Sequence, residues 1–313
     1  MANGTNKFNG IVNVYKEKDF TSHDVVAKLR GILKQKKIGH TGTLDPQAEG
    51  VLPVCLGNAT KLCELLTDKV KTYKATMILG LTSDTEDMTG KVTRVTSEEE
   101  VKGLGEEKVI EAINSFIGEY DQIPPMYSAL KVNGKKLYEL AREGKEIERK
   151  PRRVEILSIE ICSINLPSVE FNVTCSKGTY IRSLCRDIGE KLNTGGCMES
   201  LVRTRVSNFD IKDAYKLSEI EKMVKNDENF ITSIEDMLNI YEKIKVPSEF
   251  DKLVLNGNKL EIDTLIDCKI IDGSVPANDG TNNTLFRIYD STDKLIGLYM
   301  KEKNYLKPYK MFV

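Results

Sequence analysis

At 313 residues the chain has material for one large packed domain and one small one. Its 46 Lys and Arg nearly balance 47 Asp and Glu, and the net charge of −1 excludes a uniformly basic wrapper of nucleic acid. The absence of any bilayer-length apolar run and the polar start MANGTNKFNG exclude a membrane span and a secretory signal, so a cytoplasmic location is expected. Seven cysteines (55, 63, 162, 175, 185, 197, 268) form no C-x-x-C and read as free thiols of a reducing compartment. With two histidines and no paired cysteines no metal site is expected, and the lack of glycine-rich phosphate loops argues against a nucleotide cofactor.

Charge is segregated along the chain. Residues 1–40 carry eight Lys and Arg against three acidic groups, and residues 131–153 carry nine against four. Residues 84–121 reverse this, with eleven acidic groups against four basic. Such segregation allows a basic face for phosphates on a neutral protein.

In chain order, NGIVNVYK alternates as a first strand. Thr21-Ser22-His23-Asp24 starts a helix that gathers Val25, Val26, Leu29, Ile32 and Leu33 on one face and ends in Lys34, Lys36 and Lys37. A glycine-punctuated loop follows, with His40 and the stiff Asp45-Pro46 step, then the buried strand VLPVCL closed by Gly57. A single carboxylate on a stiff loop against a buried strand is a candidate for chemistry. Residues 58–67 read as a short amphipathic helix and KTYKATMILG as a strand bearing Tyr73. SDTEDMTG (83–90) is an acidic loop whose spacing fails the EF-hand pattern, so its carboxylates are expected to hold loop amides and basic side chains. Ser97-x-x-Glu100 caps a surface helix or two over 97–117. SALKVNG reads as a strand and Lys135–Arg142 as a short helix in a strongly basic stretch. Two strands, Val154–Ile164 and Ser168–Cys175, precede the turn Lys177-Gly178 and a helix over Tyr180–Leu192 with Tyr180 and Arg182 in its first turn. Residues 210–243 are acidic and helical, Lys245-Val246-Pro247 reads as a linker, and short β segments from there to Val313, with the polar loop DGSVPANDGTNN, read as a small barrel.

GHTGTLDPQAEGVLPVCLGNATKL (39–62) resembles the signature of the bacterial tRNA pseudouridine-55 synthases, the TruB family. Gln47 and Glu49 depart from its usual Leu and Thr. Further family blocks follow in order: QIPPMYSALKVNGKKLYELAREG, CSKGTYIRSLCRDIGEKL and GGCMESLVRTRVSNF. The resemblance implies Asp45 as the catalytic carboxylate, Tyr73 as the aromatic stacked on the target uracil, and Arg182 as the partner of the carboxylate. It implies substrate contacts for His40, Tyr180, Lys177 and Leu201. A mobile thumb, about 124–153, would grip the RNA through Lys131, Lys135, Lys136 and Arg142.

The resulting expectation is an α+β pseudouridine synthase fold, a mixed, mostly antiparallel sheet with flanking helices over 1–244, plus a small PUA-like β-barrel over 245–313 that can be cut away near Lys245. The expected reaction isomerises uridine 55 in the T arm of tRNA without cofactor or metal, by a chain acting alone as a monomer. Asp45 either attacks C1′ or removes the C2′ proton. The rivals are a non-catalytic RNA chaperone, against which Asp45, Tyr73 and Arg182 are all present; a guide-RNA-dependent synthase subunit, against which KVNGKKLYELAREG argues; and a nucleoside hydrolase.

Overall fold

The run Val51–Leu56 is apolar at nearly every position because its strand, Glu49–Leu56, is covered on both faces. In the computed structural model, which describes residues 7–67, 69–132, 134–271 and 284–313, Val51 and Cys55 enter one core and Leu52, Val54 and Leu56 another. This strand belongs to a nine-stranded sheet. Its main path runs Gly10–Lys16, Glu49–Leu56, Gly196–Val206, Lys71–Leu79, Ser168–Cys175, Arg152–Asn165 and Gly118–Gln122. Every pairing is antiparallel except that of Glu49–Leu56 with Gly196–Val206, so the sheet is mixed and mostly antiparallel, as expected. The parallel pairing sets Arg203 beside Gly50, and a Cβ on Gly50 would lie 2.2 Å from the Arg203 carbonyl oxygen. Only glycine permits that approach.

Helix Ser22–Leu33 begins in a full capping box between Thr21 and Asp24 and buries Val25, Val26, Leu29 and Leu33. Its apolar face shares a core with Val12, Val14, Leu52 and Val54, and with Leu217 and Ile220 of helix Leu217–Lys225. Helix Ile181–Lys191 lies on the other half of the sheet, where Ile181, Leu184, Cys185 and Ile188 pack with Ala75, Met77, Phe171 and Val173. Tyr180 caps this helix in an extended conformation rather than sitting in its first turn.

Between the strands Gly118–Gln122 and Arg152–Asn165 the chain leaves the sheet. The strand expected over SALKVNG shrinks to a two-residue hairpin, Lys131↔Lys136 and Val132↔Lys135, followed by helix Leu137–Arg142.

The C-terminal part forms a five-stranded sheet in the order Glu242–Lys245, Leu285–Tyr289, Leu295–Glu302, Tyr305–Met311 and Leu260–Glu261. Its first strand ends at Lys245, the first residue of the expected linker, and helices Ser248–Leu255 and Ile262–Asp267 stand where only β segments were expected. The loop DGSVPANDGTNN lies outside the described residues. Tyr289, Leu295, Leu298 and Phe312 of this part share a core with Ile11, Val51, Cys55 and Phe209 of the large sheet. No helix among the described residues is long and apolar enough to cross a membrane.

Candidate active site

The loop between strands Ile38–His40 and Glu49–Leu56 is held from below by two buried cations. The Lys16 ammonium donates to the carbonyls of Pro46 (3.1 Å), Phe20 (2.6 Å) and Glu17 (3.1 Å). Burial pulls its pKa down to about 8. The Arg203 guanidinium donates to the carbonyls of Val51 (2.7 Å), Gly42 (3.2 Å) and Thr43 (3.5 Å). Ser22 Oγ accepts from the Leu44 amide at 2.9 Å, and the Ala48 amide closes the turn on the Asp45 carbonyl. Together these contacts fix the backbone on both sides of Asp45.

The Asp45 side chain stays 42% exposed, and its Oδ2 lies 3.0 Å from Arg182 Nη2. Arg182 is itself almost fully buried, 6% exposed. It donates Nη1 to the Thr85 carbonyl and Nη2 to the Tyr127 carbonyl, both at 2.9 Å, with Asp87 Oδ2 3.8 Å from Nε. One guanidinium thus ties the 40s loop to the acidic loop and to the insertion, and main-chain carbonyls fix its aim. The acidic loop is anchored in turn by Glu86, which accepts from Ser183 Oγ at 2.6 Å, pairs with Arg186, and takes the Met198 amide on its carbonyl.

Tyr73 is buried opposite Arg203 and Val173 on the neighbouring strands, in a core with Leu44, Ile181 and Leu201. Burial pushes its phenol pKa up to about 12, against the opposing pull of Arg203, so it is a neutral ring with a protonated hydroxyl. Tyr180 is fixed by Gln122, whose amide accepts from the Tyr180 N–H (2.8 Å) and donates to its carbonyl (3.0 Å). Burial raises its phenol pKa as well.

The structure therefore brings together Asp45, Tyr73, Arg182, Tyr180 and Leu201. His40 stands at the start of the loop, accepting from the Gly42 amide at 3.3 Å, with its ring edge-on to His23 at 5.6 Å. Burial, then His23 and Arg203, depress its pKa. Lys131, Lys135, Lys136 and Arg142 lie apart, on the hairpin and helix of the insertion. Lys135 pairs with Glu143 at 3.6 Å, while Lys136 and Arg142 lie over the Tyr138 ring. Lys177 sits in the turn before Tyr180. The supporting roles of Lys16, Ser22, Gln122 and Arg203 were not read from the sequence. A lysine alternating in line with Val12 and Val14, and an arginine in line with Leu201, were the available signal.

The profile described as TruB family pseudouridylate synthase (N terminal domain) matches residues 30–181, and that of the tRNA pseudouridylate synthase B C-terminal domain matches residues 182–244. Proteins named tRNA pseudouridine synthase B from Lachnoclostridium phytofermentans and Clostridium tetani are 53% and 46% identical, each over 97% of this chain and 100% of its own length. A solved Cbf5-Nop10-Gar1 complex contains a chain 26% identical with a TM-score of 0.69, covering 100% of this chain and 91% of that one. An H/ACA RNP bound to a substrate RNA containing 2'-deoxyuridine contains another, 25% identical with a TM-score of 0.69, covering 97% and 85%. The chain belongs to the TruB family of pseudouridylate synthases.

Proposed function

We propose that this enzyme isomerises uridine 55 in the T arm of tRNA to pseudouridine, with Asp45, Tyr73 and Arg182 as its catalytic residues. The observation that carries the assignment is the half-exposed Asp45 carboxylate, 3.0 Å from the buried Arg182, on a loop whose Leu44 shares a core with the buried Tyr73. The uridine leaves its stack and enters between Tyr73, Tyr180 and Leu201, with His40 at the loop entrance beside the displaced base. The N1–C1′ bond breaks, the uracil turns, C5 bonds to C1′, C5 gives up its proton and N1 gains one. Asp45 begins this either by attacking C1′ or by taking the C2′ proton. Arg182 keeps the carboxylate aimed and Tyr73 supplies a flat, neutral floor for the base.

Lys131, Lys135, Lys136 and Arg142 of the insertion, together with Lys177, grip RNA phosphates, and the C-terminal sheet is a PUA-like surface for more of the tRNA. We place the catalytic unit at 1–244 and the RNA-binding unit at 245–313, acting as a monomer without an obligate protein partner. The higher identity to the proteins named tRNA pseudouridine synthase B than to the chain of the Cbf5-Nop10-Gar1 complex supports this over a guide-dependent subunit.

The test is single-turnover conversion of an unmodified T-arm stem-loop, with pseudouridine mapped to the nucleotide, for wild type and Asp45→Asn. Wild type is expected to convert position 55, while Asp45→Asn binds the RNA and converts none. Turnover by Asp45→Asn within about tenfold of wild type would assign the chemistry to another residue.

A further inference from the structure

Arg203 is among the largest fully buried side chains of the protein. Its polar partners are main-chain carbonyls: Val51 from Nε, Thr43 from Nη1 and Gly42 from Nη2. Across the sheet its backbone partner is Tyr73, so the two side chains leave neighbouring strands side by side on one face. On the other side its backbone runs alongside Gly50, at the far end of the loop. A cation withdrawn from water is costly, and an apolar side chain would fill the space at lower cost. What the guanidinium adds is a planar fork of directed donors. That fork reaches the turn ahead of Asp45 and the strand after it, from a position directly opposite Tyr73 in the sheet.

We propose that Arg203 is a positioning residue for the isomerisation: it holds the Gly42–Thr43 turn and the Tyr73 ring on one guanidinium, so that the Asp45 carboxylate and the base platform keep a fixed separation. This rests on the roles given above to Asp45 and Tyr73. Arg203 does not reach the substrate. It acts on the chemical step by keeping two groups, brought from separate parts of the chain, in register.

The test uses the full chain with Arg203→Lys, Tyr73→Phe and the double variant, measured for single-turnover rate, RNA affinity, melting temperature and amide exchange of residues 42–45. A lysine keeps the charge but lacks the guanidinium's planar fork, which spans the Gly42, Thr43 and Val51 carbonyls. For Arg203→Lys we expect a rate loss of about 100-fold, the size of effect that ångström-scale misplacement brings, with RNA affinity within about threefold of wild type. Exchange at 42–45 is expected to rise at least about tenfold while the melting transition stays cooperative. Tyr73→Phe keeps the ring and removes the hydroxyl, and its exchange at 42–45 is also expected to rise. The double variant should be no slower than the slower single variant, because both break one unit. Wild-type exchange in Arg203→Lys, or rate losses that multiply in the double variant, would overturn the proposal. If Arg203→Lys does not fold, exchange in Tyr73→Phe decides alone, and a wild-type value there overturns it. If wild type converts no uridine, the functional reading falls, while the exchange measurement still decides whether Arg203 tethers the loop to Tyr73.

Discussion

Asp45 is aimed by groups from widely separated parts of the chain: Lys16 and Ser22 before it, Arg182 and Arg203 long after. His40, at the start of the same loop, records that enclosure in its titration. Burial, with His23 and Arg203 nearby, holds its imidazole below the ordinary value, and its Nδ1 accepts from Gly42. The unfolded chain takes up that proton below about pH 6.5, whereas the folded chain refuses it until lower pH. This stability contribution is therefore present above about 6.5 and is lost as pH falls through the depressed folded value. His40→Asn keeps an acceptor for Gly42 and removes the titration. The melting temperature of wild type should fall more than that of His40→Asn between pH 7 and pH 5. Parallel profiles would mean that the folded loop accepts the proton freely. The Asp45–Arg182 pair was legible in the sequence because each residue sits in a contiguous block that carries the family pattern. No role was read for Lys16, and Arg203 stood out only as a match within its family block, because their roles arise from burial against main-chain carbonyls that no local spacing encodes.

Among the elements, helix Ile181–Lys191 matters most, because its first turn carries Arg182. It is seated by glycine against glycine: a Cβ on Gly196 would lie 2.2 Å from the Cys185 carbonyl oxygen and 3.0 Å from Gly189 Cα. Backbone cannot yield as a side-chain tip can, so Gly196→Ala must push the helix outward and lengthen the Arg182–Asp45 contact. We expect a stability loss of about 1–3 kcal/mol in denaturant melts and a fall in single-turnover rate larger than any fall in RNA affinity. Gly31→Ala is the control, since it sits in helix Ser22–Leu33 with nothing within 4 Å of the added carbon. That change should be neutral or slightly stabilising. An active, fully stable Gly196→Ala would show that the contact is slack. The amphipathic helices of the large domain were readable because their apolar residues recur on one face. Helix Ser248–Leu255 was not, because its run LVL buries Val254 and leaves Leu253 and Leu255 exposed at 41% and 46%. The SALKVNG hairpin was over-read as a strand, since its sequence suits extension while only two residues on each side find a partner.

At the scale of the whole molecule, the sequence suggested a C-terminal barrel attached by a linker and separable near Lys245. The structure puts that cut at the end of the strand Glu242–Lys245, which pairs in parallel with Leu285–Tyr289. The C-terminal sheet also closes a core of the catalytic sheet. Tyr289, Leu295, Leu298 and Phe312 pack with Val51, Cys55, Leu62, Leu66 and Phe209, and the Phe312 carbonyl accepts from Asn58 at 2.7 Å. Val51 and Cys55 lie on the strand that leaves the Asp45 loop. Each large apolar side chain withdrawn from such a contact forfeits roughly 1.5–3 kcal/mol, against about 5–15 kcal/mol for the stability of a typical domain. A chain ending at Tyr241 is therefore expected to melt well below the full chain, to bind a hydrophobic dye, and to lose conversion of an isolated T-arm stem-loop as its fold is lost. Phe312→Ala in the full chain tests the same contact more gently and should cost about 3–5 kcal/mol if the site does not collapse. Circular-dichroism melts beside single-turnover assays on the stem-loop distinguish the two outcomes. A truncated chain with a wild-type melt and full turnover would mean that the catalytic sheet is complete without its neighbour, and that the shared core adds RNA surface and nothing to the fold.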